Sequence, residues 1–173
     1  NRVFIVHNGI IENDVALKEQ LIKKGYQFNS QTDSELIAHQ LDFFLNQGSE
    51  MVEAMSLLKE KLEGAYAVAA IDLKNESHFY LMRNKSPLLL GQSDSGMFAA
   101  SDPLALADLT NKFIFLEDGD VAEVSAKEYK ILDKNQKRAI RKITTIDVSS
   151  EAMGKNGYRT FMEKEIYEQP TAI

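Results

Sequence analysis

None of the 173 residues is cysteine, and only three are proline and three histidine. Without cysteine there is no disulfide, no Cys-ligated zinc and no thiol nucleophile among these residues. Long apolar runs are missing as well. The longest, Ala65 to Ile71, falls far short of the roughly 20 residues that a membrane-spanning helix needs. No charged-then-apolar leader opens the chain. Positive charge is not in excess: 20 Lys+Arg against 26 Asp+Glu give a net charge of −6, which argues against a grip on nucleic-acid phosphates. There is no P-loop, no glycine-rich dinucleotide turn, no ordered Ser-His-Asp set, no internal repeat and no low-complexity segment. What is present is 44% hydrophobic residues, in a chain long enough to bury most of the apolar surface of one domain. A soluble, cytoplasmic protein without nucleic-acid or membrane partners is expected, and no cofactor or metal is assigned.

Both ends read as internal. Asn1 is followed at once by Val3-Phe4-Ile5-Val6, an apolar run expected to form a buried strand, so a preceding segment is expected. The last stretch, 158–173, is amphipathic, lacks a C-cap glycine and reads as a connector leaving a domain that spans 1–157. Three helices come first. Asn13 is expected to cap one through Val15, Leu17, Leu21 and Ile22, with Gly25 as its left-handed stop. Thr32-Asp33-Ser34-Glu35 predicts a capping box for a second helix through Leu36, Ile37, Leu41 and Leu45, ending near Gly48. Val52, Met55, Leu58 and Leu62 give a third one apolar stripe ending at Gly64.

Thereafter the period shifts towards two, predicting strands at Tyr66 to Leu73, His78 to Arg83, Leu88 to Gly91 and Met97 to Ala100. Four more are expected at Phe113 to Leu116, Asp120 to Ser125, Tyr129 to Leu132 and Ala139 to Ile143. A short helix capped by Asp102, with Pro103 at its first position, interrupts them. Helices followed by many short antiparallel strands predict an α+β layered domain.

Few residues carry a chemical signal. Asn8-Gly9 directly after the first strand fits a two-residue hairpin turn, but only Ile10-Ile11 remain for a return arm. The alternative is a strand-end loop whose glycine N–H and asparagine amide face outward as donors to an oxyanion. Asp33, just inside the second helix, complements the helix dipole; if Thr32 and Glu35 serve the helix end, its carboxylate is free to hold an ammonium group. Glu35 and His39, four apart, lack a third partner for a metal and read as a surface ion pair or hydrogen bond. His7 and His78 read as packed or hydrogen-bonded histidines, with an active-site role open for His7 from its position beside Asn8. Lys134 to Lys142 is locally basic and reads as a solvated sheet edge.

Taken in order, His7-Asn8-Gly9-Ile10-Ile11-Glu12-Asn13, Thr32-Asp33-Ser34-Glu35 with Ile37-Ala38-His39, and Leu62-Glu63-Gly64-Ala65-Tyr66 carry a resemblance. It continues through Ser86-Pro87-Leu88, Ala100-Ser101-Asp102 and Phe113 to Asp120. The chain resembles class II glutamine amidotransferases, and among them the glutaminase domain of the glutamine:fructose-6-phosphate amidotransferases (glucosamine-6-phosphate synthases), to whose connector the segment Met162 to Pro170 is similar. The resemblance implies an N-terminal-nucleophile hydrolase fold, an αββα four-layer sandwich incomplete at its N-terminus. It also implies a nucleophilic cysteine at the head of the mature chain, with its own α-amine as base, and neither lies in this sequence. Asn8 and Gly9 match the family's oxyanion hole, and Asp33 the carboxylate that binds the glutamine amino group. The implied partners are L-glutamine, fructose 6-phosphate through an isomerase domain outside these residues, and a second copy in a homodimeric parent enzyme. The fragment itself is expected to be inactive. A catalytically dead ligand-binding or scaffold domain, and a class II amidotransferase with another acceptor, stay open at this point.

Overall fold

In the computed structural model the described residues are 2–146 and, beyond them, positions 158, 162, 163, 166, 167 and 169. Strand β1 (Val3–Ile11) is followed by helices α1 (Asp14–Lys23), α2 (Asp33–Asn46) and α3 (Met51–Lys59). Strands β2 (Gly64–Asp72), β3 (His78–Asn84), β4 (Leu89–Ser93) and β5 (Gly96–Ala100) come next, then one 3-10 turn (Pro103–Leu106). The remaining strands are β6 (Lys112–Phe115), β7 (Val121–Ser125), β8 (Tyr129–Leu132), β9 (Arg138–Ala139) and β10 (Ile143–Thr145). They form a six-stranded sheet, β1-β2-β3-β7-β8-β9, and a four-stranded one, β10-β6-β4-β5. Every pairing is antiparallel. No helix among the described residues is long and apolar enough to cross a membrane.

Side-chain alternation explains the layering. On β2, Tyr66, Val68 and Ala70 belong to the core under the helices, where Leu36, Ile37, Leu41, Met55 and Leu58 meet them. Ala67 and Ala69 turn the other way, into a second core between the sheets with Leu81, Leu90, Ile114 and Val124. Beyond the second sheet, Leu106 of the 3-10 turn packs on Leu89 and Phe113, making a thin fourth layer. The α+β sandwich follows from sheets that are apolar on both faces and must be covered twice.

Local departures from the sequence reading have local causes. Asn13 precedes α1 but makes no cap bond; its amide donates to Lys61 O (2.8 Å) and its Oδ1 accepts from Glu63 N–H (3.1 Å), tying α1 to the turn before β2. The third helix stops at Lys59, and Gly64 opens β2 instead of capping the helix. The strand expected over Ala139 to Ile143 is two strands in different sheets, separated where Arg141 turns inward to a bidentate pair with the fully buried Asp120 (2.8 and 2.7 Å). Leaving that carboxylate unpaired would be costly, so the pairing fixes the chain's crossing from one sheet to the other. The Asp102 cap is made, with its carboxylate accepting from Leu104 N–H at 2.7 Å. The basic segment lies at the sheet edge formed by β9. Most of the expected connector, 158–173, is outside the described residues.

Candidate active site

Asn8-Gly9 is neither a hairpin turn nor a strand-end loop. β1 runs through both residues and stays in register with β2 from Val3↔Asp72 to Ile11↔Gly64. The glycine is nonetheless unlike its neighbours: Gly9 has φ +130°, and a Cβ there would sit 2.1 Å from Ala65 O and 2.8 Å from Tyr66 Cα. Only a residue without a side chain fits so close an approach of two backbones. β1 is an edge strand, which settles where its polar groups point. Arg2 O accepts from Leu73 N–H, so even-numbered residues of β1 face β2 and odd-numbered ones turn their N–H groups to the open side. Gly9 N–H therefore faces outward. Asn8 is exposed, its side chain takes no hydrogen bond among the described residues, and alternation sets it on the opposite sheet face from His7.

The start of α2 approaches the same open edge. Asp33 Oδ2 accepts from Ile11 N–H at 3.0 Å, two residues beyond Gly9. Asp33 Oδ1 lies 3.4 Å from His7 Nδ1, which is also 3.1 Å from Ser34 Oγ. The His7 side chain is only 2% exposed, and burial pushes its pKa below 6.5, against the pull of Asp33. The expected capping box is absent: Thr32 makes no cap bond. Glu35 reaches back to the preceding loop, accepting from Asn29 N–H and Ser30 N–H, both at 2.7 Å, and from Ser30 Oγ–H at 2.5 Å. These bonds bring the Glu35 carboxyl down to about 2. Asp33 is thus not a free group; it is anchored to β1 through the Ile11 amide and keeps 22% of its side chain exposed. A carboxylate accepts about four hydrogen bonds, so acceptor positions remain. His39 Nε2 lies 3.5 Å from Glu35 Oε1 and 3.1 Å from Gln27 O. His78 is bonded to Ser77 Oγ (2.9 Å), on the other side of β2 from β1.

A model of the glutamine amidotransferase domain matches residues 1–108. The chain belongs to the glutamine amidotransferase family. Within that family it is 43% identical, over 171 residues, to glutamine-fructose-6-phosphate aminotransferase (isomerizing) of Vibrio parahaemolyticus, which covers 99% of this chain and 28% of that protein. The protein of the same name from Haemophilus influenzae is 41% identical over 169 residues, 98% of this chain and again 28% of the relative. The chain thus spans just over a quarter of the length of these curated relatives. Among solved structures, glutamine phosphoribosylpyrophosphate amidotransferase from B. subtilis, in complex with ADP and GMP, superposes with a TM-score of 0.66 at 22% identity, covering 79% of this chain and 30% of that one. The allosteric regulatory enzyme of purine biosynthesis gives 0.64 at 23% identity, over 76% and 28%. At such identities the likeness shows the fold, that of the amidotransferase glutaminase domains.

For an amidotransferase domain, the open edge of β1 gathers Asn8, Gly9, Asp33 and His7. Asn8, Gly9 and Asp33 carry a signal in the sequence; the only mark of His7 there is its adjacency to Asn8. The missed signal is parity: His7 and Ile11 share the helix-facing side of β1, which is the side that meets α2.

Proposed function

We propose that these residues are the glutamine-hydrolysing part of an amidotransferase that makes glucosamine 6-phosphate and glutamate from fructose 6-phosphate and L-glutamine. The observation that carries the reading is Gly9, at a φ only glycine adopts freely, on the outer edge of β1 beside an Asn8 whose side chain is unbonded among the described residues, two residues from the amide that anchors Asp33. A thiolate from outside this sequence attacks the carboxamide carbon, and the carbonyl electron pair moves to oxygen. Gly9 N–H and Asn8 Nδ2 donate to that oxyanion, where preorganised donors act most strongly. The C–N bond then breaks as the nucleophile's α-amine, having taken the thiol proton, passes it to the departing nitrogen; ammonia leaves, and water adds to the thioester to release glutamate and restore the thiol. Asp33 holds the substrate's α-ammonium. Identity of 41–43% to aminotransferases of that name supports fructose 6-phosphate as acceptor, bound by a part of the polypeptide beyond residues 1–157. Cytoplasmic location and a homodimeric parent belong to the same reading.

The test uses full-length enzyme. Asn8→Ala removes a donor that matters when charge develops, so kcat for glutamine hydrolysis falls about a hundredfold with KM little changed. Asp33→Asn weakens ground state and transition state alike and raises KM. Ammonia-dependent synthesis survives both. An Asn8→Ala enzyme whose kcat stays within about twofold of the parent defeats the oxyanion assignment.

A further inference from the structure

His7 is unused by the chemistry above, yet its side chain is only 2% exposed. Its Nδ1 faces an acceptor-only carboxylate oxygen at 3.4 Å and a hydroxyl at 3.1 Å, so Nδ1 carries the hydrogen in the neutral ring. That leaves a lone pair on Nε2, which is buried and has no hydrogen-bond partner among the described residues. We propose that His7 is a positioning residue: its neutral imidazole steers the Asp33 carboxylate towards the substrate ammonium while leaving the carboxylate's negative charge for that ammonium. The inference rests on Asp33 being the ammonium site.

The orphaned Nε2 is what keeps the ring neutral. A second proton there would create a buried N–H with no acceptor, at a cost that Asp33 on the far side of the ring offsets only in part. The surroundings add no other charge. On α2, Asp33 and Ser34 face the ring; on β2, Val68 lies opposite it in the ladder, and Tyr66, on the same sheet face, has its phenol pushed up to about 12 by burial and stays neutral. A charged His7 would be a built-in cation 3.4 Å from Asp33, competing with the substrate's ammonium. A neutral one orients without competing. The arrangement makes the site selective for a cationic amino group only while His7 is unprotonated.

The discriminating measurement is KM and kcat for L-glutamine in full-length enzyme between about pH 5 and pH 8, the range in which histidine titrates. In the parent, KM rises as pH falls below imidazole's ordinary 6.5, because protonated His7 takes up the Asp33 charge. His7→Ala raises KM at neutral pH by roughly tenfold, as expected when the polar contact at 3.4 Å that orients the Asp33 carboxylate is lost, with a smaller change in kcat. His7→Asn, whose amide N–H replaces Nδ1–H without titrating, recovers most of that loss and abolishes the acid rise in KM. If His7→Ala fails to fold, the pH profile of His7→Asn decides alone. An acid rise that persists in His7→Asn, or a folded His7→Ala with the parent's KM, overturns the proposal. Asp33→Asn run in parallel separates the two readings: a raised KM there with parental His7 variants defeats His7 only, whereas an unchanged KM defeats the ammonium site and the proposal together.

Discussion

At the scale of single residues, the site depends on two glycines that answer each other across one ladder. A Cβ on Gly9 would meet Ala65 O at 2.1 Å, and one on Gly64 would meet Ile10 O at 2.2 Å. Both contacts are with backbone, which cannot swing aside. Gly25 offers the matching control, since its φ is +94° but nothing lies within 4 Å of its Cβ position. Gly25→Ala should cost about 1 kcal/mol, the left-handed conformational penalty alone, whereas Gly9→Ala should cost about 3 kcal/mol through penalty and clash together. Urea unfolding of the two variants measures the gap, and equal losses would mean that β1 relaxes around the added methyl. The sequence made Asn8-Gly9 conspicuous but not this requirement. Asn-Gly is as good a turn as it is a donor pair, and the atoms that exclude a side chain belong to Ala65 and Tyr66, remote in sequence. Asp33 was legible for the opposite reason, because helix starts announce themselves locally.

At the scale of elements, the places of the helices are readable from periodicity and the Asp102 cap from its motif, while the end of α3 and the bonding of Asn13 and Thr32 are not. The box motif at Thr32 to Glu35 is satisfied in sequence, yet Glu35 finds two better-placed amides at Asn29 and Ser30. Charge-assisted bonds to backbone N–H groups outcompete a reciprocal cap, and the loop before α2 is held instead of the helix end. This choice predicts an acid sensitivity. Glu35 has a folded pKa of about 2 against an ordinary 4.5, so its contribution is complete above 4.5 and is lost as pH falls towards 2. Gln at this position supplies one acceptor oxygen and no charge. Glu35→Gln should therefore be less stable than the parent near neutrality, with the gap closing as denaturation is repeated at successively lower pH down to about 3. A gap independent of pH would show that the lost contacts are steric. The Arg141-Asp120 pair was equally hidden, because neither residue's neighbours in sequence reveal that one is fully buried and the other turns inward to meet it.

At the scale of the whole molecule, resemblance along the full sequence conveyed the layer order that local patterns left unresolved. Period-two stretches give strands, but not which of two sheets receives each one, so the segment around Ala139 to Ile143 has the pattern of one strand where the chain changes sheets. The apolar run Val3-Phe4-Ile5-Val6 has the composition of a buried strand, yet it is buried on one face only: Val3 is 8% exposed under the helices, while Phe4 is 56% and Val6 73% exposed on the other side. Phe4 and Val6 line an apolar groove of about 300 Å³ with Ile71, Phe79, Met97 and Phe98, between the edges formed by β1 and β5. A nine-residue edge strand carrying exposed Phe4, Val6 and Ile10 has the features that promote edge-to-edge association, a long unpaired ladder beside apolar surface. The 173-residue polypeptide, expressed by itself, should bind a hydrophobic dye and associate with rising concentration. Val6→Lys places a charge on that edge at a position already open to solvent, so it should lower both signals without lowering Tm. Light scattering and dye fluorescence on the two proteins check this. A parent chain that stays monomeric and dye-free at every concentration would mean that the β1 edge is covered in solution, and the donors assigned to Asn8 and Gly9 would then be shielded as well.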